Sequence, residues 1–139
     1  MERHPSFRNT HVRTIAIALL LALSLAGAAP AAPLMGNRTQ LSFSAANGTR
    51  IEYLAADGRA WRWHSGQARV VSGGWRFEEA DICFRYGDSA AWRCVPYELY
   101  RLTVVESRSG DVFRLRERQH VPFTLPRQRL SIADLLTRT

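Results

Sequence analysis

The sequence contains no lysine, and this absence shapes its charge pattern. All 19 basic residues are arginines, set against 12 acidic residues. The arginines alternate with apolar residues instead of forming runs, which is typical of solvated strand faces. From residue 29 onward there are 16 arginines and 11 acidic residues, a net charge of +5. This moderate, dispersed charge disfavours a nucleic-acid partner, and we expect none.

Metal ligands are also scarce. Only His64 and His120 remain beyond residue 29, and neither is at ligand spacing from the two cysteines, Cys83 and Cys94. We therefore expect no metal site and no cofactor. Two cysteines in an exported chain most simply form a disulfide. Closing a loop of about a dozen residues should stabilise the fold by roughly 2–3 kcal/mol.

No apolar run is long enough to cross a membrane comfortably. Residues 15–26 are apolar apart from Ser24, whereas a spanning helix needs roughly 18–20 apolar residues. Arg3, Arg8 and Arg13 precede this run, and small residues and prolines follow it. The pattern predicts a cleaved signal peptide over residues 1–32, with an uncleaved anchor as the alternative. We expect a periplasmic or secreted monomer with no membrane anchor after cleavage.

Glycines preceded by Asn or Asp punctuate the first half of the mature chain. Asn47-Gly48 and Asp57-Gly58 lie between short stretches rich in aromatic and β-branched residues, which is the pattern of antiparallel hairpins. A two-residue turn would place apolar side chains on the same face as Glu52. We therefore predict three-residue loops with a bulge, in which Gly48 and Gly58 are left-handed.

These loops predict the strand register and the fold class. They pair Phe43 with Ile51, Ile51 with Trp63, and Tyr53 with Trp61, which gives one apolar face across three strands. Strands are expected at residues 39–45, 49–55, 59–64, 69–78, 81–86, 91–99, 102–106 and 112–119, and no window before the C-terminus shows helical periodicity. The sequence predicts an all-β domain, an antiparallel meander forming a curled sheet or small barrel, over residues 33–120.

The cysteine hairpin indicates a candidate binding face. If Cys83 and Cys94 are directly opposed, the turn is centred on residues 88–89 and Trp92 lies opposite Arg85, on the face of the disulfide. Arg76 shares that orientation. We expect Arg76, Arg85 and Trp92 to cluster outside the core, or to line a groove if the sheet curls.

The tail, residues 121–139, contains prolines, arginines and a helix signal. Ser131 and Asp134 have the spacing of an N-cap and its N3 partner, and Ile132, Leu135 and Leu136 fall on one side of a short helix. We expect this helix to dock on the domain. A frayed end and a partner-binding peptide are the alternatives.

Several short segments together resemble a known family. They are Met35-Gly36-Asn37-Arg38-Thr39, residues 53–58 (YLAADG), residues 72–76 (SGGWR), Ile82-Cys83 and Trp92-Arg93-Cys94. Over residues 34–118 the chain resembles the bacterial domain-of-unknown-function family 995, with Arg38 inserted in a usual Gly-Asn-Thr. The resemblance implies a small, exported, β-rich protein, and it implies no activity and no catalytic residues.

The sequence shows no catalytic constellation. His64 and His120 fit surface positions, and Glu78, Glu79 and Asp81 cluster at a predicted turn, where acids are common. We therefore expect a non-catalytic binding module for a ligand, glycan or protein of the cell envelope. The alternatives are an envelope structural or stress-protective protein without a dedicated site, and a hydrolase.

Overall fold

A computed structural model describes residues 32–139, with side chains from Leu34 onward. The predicted signal peptide, residues 1–32, lies outside the described residues except for Ala32. Residues Ala31–Thr139 form one compact unit. Within the described part of the chain, no helix combines the length and the apolar character needed to cross a membrane.

Seven antiparallel strands form one curled sheet, which confirms the predicted all-β fold class. The strands are β1 (Arg38–Ser44), β2 (Gly48–Leu54), β3 (Arg59–His64), β4 (Val71–Glu78), β5 (Asp81–Tyr86), β6 (Arg93–Pro96) and β7 (Val104–Ser109). The helices of the described residues are α1 (Ala32–Met35), α2 (Tyr97–Thr103) and α3 (Ile132–Leu136), with a 3-10 turn at Leu115–Glu117. The strand order is β6-β5-β4-β3-β2-β1-β7, so β7 returns to pair with β1.

The connection between the two edge strands explains why the sheet curls. A flat sheet of seven strands would place β6 and β7 about 29 Å apart, since neighbouring strands lie about 4.8 Å apart. Helix α2, which joins them, has seven residues and so spans only about 10 Å. It contacts β5 and β6 as well as β1 and β7. The sheet therefore wraps around α2 as a half-barrel, and we call the face toward α2 the interior face.

Each face of the sheet has its own apolar cluster. On the interior face, the fully or nearly fully buried side chains are Met35, Leu54, Ala60, Trp75, Ile82 and Tyr100. The outer face is covered by the chain after β7. There Trp63 is fully buried and makes edge-to-face contacts with Phe113 and Phe123, at centroid distances of 5.7 and 5.1 Å. The C-terminal quarter of the chain therefore supplies six of the eleven buried residues of the outer cluster.

The predicted hairpins are present, and one register is corrected. The pairs Tyr53 with Trp61 and Ile51 with Trp63 are confirmed. In the first hairpin, however, Ile51 pairs with Leu41, and Phe43 pairs with Thr49, so that register prediction is wrong by two residues. A shift of two leaves every side chain on its predicted face.

The corrected register follows from the residues around Gly48. Gly48 and Gly58 have φ angles of +74° and +85°, in the left-handed region. Gly48 is the first residue of β2, opposite Ser44, so the loop comprises residues 45–47. Thr49 is tolerated on the apolar face because its hydroxyl donates to the carbonyl of Gln128, at 2.6 Å. That long-range partner has no signature in the hairpin sequence.

Three of the predicted strands are corrected: 91–99 and 102–106 overlap β6 and β7 but are extended only in part, and 112–119 is not a strand. Residues 97–103 form α2, where residues 91–99 and 102–106 were expected to be extended. Residues 112–119 form a capped turn. The Asp111 carboxylate accepts hydrogen bonds from the backbone N–H groups of Leu115 and Arg116, at 2.8 and 2.9 Å, and Arg114 has a φ of +55°. Phe113 and Leu115 are both buried, and their spacing in the sequence matches the apolar alternation of a strand although the backbone here is not extended.

The tail docks on the sheet as expected. Ser131 and Asp134 form a reciprocal capping box at the start of α3. Ile132 and Leu135 are fully buried in the outer cluster. The Glu106 carboxylate of β7 accepts a hydrogen bond from the Ile132 N–H at 2.7 Å, which joins the tail helix to the sheet edge. Acidic groups are favourable at helix N-termini, so this contact stabilises the docked position.

The predicted disulfide is present. Cys83 and Cys94 are bonded to each other and are directly opposed on β5 and β6. Because β6 has only four residues and its side chains are exposed, few apolar contacts hold it in place. The covalent link therefore fixes the strand from which α2 departs.

Removing the disulfide should weaken the fold without abolishing it. Replacing both Cys83 and Cys94 by Ala is expected to lower the free energy of unfolding by about 2–3 kcal/mol, because the unfolded chain regains loop entropy. Urea denaturation of the oxidised protein, the reduced protein and the double variant measures this. The reduced protein and the variant should agree, and equal stability of all three would contradict the prediction.

The Glu106 contact predicts a pH-dependent stability. The Ile132 N–H, followed by the Arg108 side chain, lowers the pKa of Glu106 in the folded state, although burial opposes this. A lowered folded pKa contributes stability above the unfolded value of about 4.3, and the contribution disappears as pH falls through the folded pKa. Glu106→Gln should therefore be destabilising at about pH 7, and this loss of stability should shrink at about pH 3 in urea titrations.

Glu117→Gln is the matched control for this prediction. Glu117 pairs with Arg114 on an exposed surface, where ion pairs contribute little. A stability loss in the Glu106 variant that stayed the same at both pH values would show that the carboxylate charge is not responsible.

Candidate functional site

A cavity of about 630 Å³ opens on the interior face, and we call it the interior pocket. It lies between β2, β3, β5, β6 and α2. Its lining residues are Arg50, Glu52, Arg62, Phe84, Arg85, Tyr86, Ser89, Ala91, Arg93, Val95, Pro96, Leu99, Tyr100 and Thr103. Pockets of this size hold small molecules in other proteins, and the mouth of a barrel-like sheet is a frequent location for them.

One buried carboxylate stands at the base of the pocket. Glu52, on β2, is 2% exposed. It accepts hydrogen bonds from the hydroxyls of Tyr86 on β5 and Tyr100 on α2, at 3.0 and 3.3 Å. The Arg50 guanidinium lies 3.4 Å away, measured from Nε to the carboxylate. The single acid that lines the pocket is thus already engaged by three partners.

The electrostatics fix the protonation of these partners. Burial, followed by the nearby Glu52 charge, raises the pKa of both Tyr86 and Tyr100 well above the ordinary value. Both phenols therefore stay protonated and act as donors. Burial, the largest single effect, lowers the pKa of Arg50, but the Glu52 charge together with Tyr100 and Tyr86 outweighs it and the pKa is raised.

Two further arginines face the pocket without an acidic partner. Arg62 is the cross-strand neighbour of Glu52, yet the ion pair of Glu52 is with Arg50. The Arg62 guanidinium instead lies 4.2 Å from the Tyr86 ring centroid, and its Nε is buried without a hydrogen-bond partner. Among the described residues, neither Arg62 nor Arg93 makes an ion pair.

The cationic region extends into a neighbouring cavity. This second cavity, of about 540 Å³, shares Arg50, Arg62, Arg93 and Thr103 with the interior pocket and adds His64. The lining of the second cavity includes no acidic residue. The arginines therefore lie between two open spaces, and the local potential there is positive.

The interior pocket also has apolar lining residues. Phe84, Val95, Pro96 and Leu99 line it from β5, β6 and α2. Val95 and Leu99 are 41% and 60% exposed. Large apolar side chains left open at the rim of a cavity are typical of binding sites. The pocket thus combines cationic and apolar lining residues, and cationic Arg93 is the direct cross-strand neighbour of Phe84.

The residues predicted as a binding face come together on the outer face. The guanidinium carbons of Arg76 and Arg85 lie 4.2 and 4.9 Å from the ring centroid of Trp92. Arg76 also pairs with Glu78. Trp92 packs over Gly74, where an added Cβ would lie 3.2 Å from the indole ring. Of the three, Arg85 also borders the interior pocket.

The sequence analysis missed the residues of the pocket itself, namely Glu52, Arg62, Tyr86 and Tyr100. The polar positions of β2 and β3 alternate with apolar ones, so the polar side was interpreted as solvated. In the curled sheet that side is the interior face. An acid flanked by arginines on adjacent predicted strands was the available signal, and it was not recognised.

The other polar groups considered from the sequence offer less. The His64 Nδ1 lies 2.9 Å from the carbonyl oxygen of Ser65. His120 is exposed, and its backbone forms an isolated antiparallel β-bridge with that of Arg69. Glu78 lies close to both cysteine sulfurs. Those sulfurs are joined in the disulfide and therefore provide no thiolate for a metal.

The tyrosine contacts with Glu52 should contribute measurably to stability. Tyr86→Phe and Tyr100→Phe each remove a hydrogen bond to a buried carboxylate, and each is expected to cost about 1.5–3 kcal/mol. Because both donors serve the same acceptor, the double variant should differ from the sum of the single losses. Urea denaturation of the four proteins measures this, with Tyr97→Phe as a control outside the Glu52 contacts.

Comparison of the chain with family models, with curated proteins and with solved structures returned no match. The resemblance to family 995 therefore stays a prediction.

Proposed function

We propose that this protein is an exported, non-catalytic binding module whose interior pocket holds a small organic anion. The observation that carries the proposal is the charge balance of the pocket. Glu52 is satisfied by Arg50, Tyr86 and Tyr100, whereas Arg62 faces the same cavity with a buried Nε that has no partner.

Physical chemistry favours an anion in that position. A guanidinium group removed from water loses hydration free energy unless an acceptor replaces the water. No protein acceptor reaches the buried Nε of Arg62 among the described residues. A bound carboxylate or phosphate would supply acceptors to the partly exposed Arg62 side chain, and arginine binds such groups through paired N–H donors. The unpaired cations therefore favour anionic ligands over neutral ones.

Export is the second part of the proposal. The predicted signal peptide, the resemblance to a family of exported proteins and the disulfide all favour an oxidising compartment. We place the protein in the periplasm or outside the cell. A ligand of this compartment reaches the pocket without crossing the inner membrane.

The alternatives account for fewer of the observations. An envelope structural protein has no need of a cavity lined by unpaired arginines. A hydrolase would need an activated group, but both phenols at Glu52 have raised pKa values and are held as donors. The arrangement is suited to holding fixed charge, which is the requirement for binding.

A fluorescent anion tests the proposal. Anilinonaphthalene sulfonate should bind the purified protein at one saturable site, with a large rise in fluorescence. Phenylnaphthylamine, which lacks the sulfonate, should bind at least about tenfold more weakly, since a tenfold change corresponds to one charge-assisted contact.

Variants locate the site. Arg62→Gln and Arg93→Gln should each weaken sulfonate binding by about tenfold, because each removes a pocket cation. Arg129→Gln, an exposed arginine of the tail, is the matched control and should bind as the parent does. Unchanged binding in both pocket variants, with normal thermal unfolding, would overturn the proposal.

A further inference from the structure

We infer that the ligand of the interior pocket is a single-chain amphiphile: an anionic head group with a linear apolar chain. This inference rests on the proposed function and specifies the class of ligand. It depends on the presence of cationic and apolar side chains in the lining of one pocket, and on the apolar side chains that remain exposed where the pocket opens.

The unpaired arginines of the pocket determine the charge expected of the head group. Arg50 is neutralised by Glu52, and the Arg85 guanidinium stacks on Trp92 of the outer face. The interior-face cations available to a ligand are therefore Arg62 and Arg93. A head group with one or two negative charges balances them. A compact polyanion would bring more charge than these arginines can neutralise, and it would also lie against apolar side chains, where its hydration would be lost.

The apolar lining residues indicate that the rest of the ligand is apolar. Phe84 lies on the same face as the arginines. Val95 and Leu99 also line the pocket and are exposed at its rim. Leu102, one helical turn beyond Leu99, is 74% exposed and lies outside the pocket. The apolar lining of the pocket therefore reaches the rim at Leu99, and Leu102 is not part of it. A chain lying on this surface would cover side chains that the fold leaves open.

The path of the chain agrees with the shape of the half-barrel. The other end of the interior is filled by Leu54, Trp75 and Ile82, which are at most 5% exposed. An apolar chain therefore cannot continue inward past the arginines. It has to leave where Val95 and Leu99 are exposed at the rim, with its head group at Arg62.

A chain-length series tests the inference. Butyrate, hexanoate, octanoate and decanoate are titrated by calorimetry below their micelle concentrations, with citrate as a compact polyanion. Each added methylene that is buried should tighten binding by about fourfold, which corresponds to 0.8 kcal/mol. Citrate should bind more weakly than octanoate. Decyltrimethylammonium, which has the chain and the opposite charge, should not bind.

Two helix variants separate the tail contact from general effects on α2. Leu99→Asn should reduce the gain per methylene while leaving butyrate affinity unchanged. Leu102→Asn is the matched control, because Leu102 lies on the same helix and is more exposed but does not line the pocket. Both positions face solvent, so neither substitution should alter thermal unfolding. An equal effect of both variants would overturn the assignment of the tail path.

The outcomes distinguish this inference from the proposed function. If citrate or butyrate binds through Arg62 and affinity does not increase with chain length, the amphiphile is excluded and an anion-binding pocket remains. If anilinonaphthalene sulfonate and all of these anions fail to bind, both proposals are wrong. Affinity that rises with chain length but is unaffected by Arg62→Gln would place the chain elsewhere and overturn the inference.

Discussion

The contact of the Glu52 carboxylate with two tyrosines and an arginine determines the arrangement of the interior. Tyr86 belongs to β5, Tyr100 to α2, and both Glu52 and Arg50 to β2, so one acid joins strands from different parts of the sheet to the helix that closes it. A buried charge is stable only when its partners are all in place. The position of α2, and with it the shape of the pocket, therefore depends on this acid.

The protein separates stability from binding by using the two faces of its sheet differently. The outer face is sealed by the tail, which buries Trp63 against Phe113 and Phe123. That cluster contains no group of the interior pocket. Because a second core supports the sheet from outside, the interior does not have to be filled at every level. It can hold unpaired arginines that a one-core half-barrel of this size could not easily tolerate.

The features that the sequence predicts correctly are local or covalent. Alternation gives the faces of β2 and β3, Gly58 gives its turn, and the Ser131 capping box gives α3. The features that it misses depend on distant contacts. Helix α2 buries Tyr100 and leaves Leu99 exposed, so its sequence lacks the amphipathic periodicity that would predict a helix. The pocket was missed for the same reason: alternation cannot tell a solvated face from the inside of a curled sheet, because curvature is set by the α2 crossover.

The same curvature decides between the two arginine clusters. On the outer face, Arg76 and Arg85 stack on Trp92 and are open to water, and Arg76 already has an acidic partner in Glu78. Water and that carboxylate satisfy them, so an added ligand would gain little. Inside the half-barrel, the buried Nε of Arg62 lacks an acceptor. The neighbouring acid, Glu52, is already bound by two tyrosine hydroxyls and by Arg50. An anion gains more where a half-buried cation lacks an acidic partner, and in the described residues Arg62 of the interior pocket is such a cation.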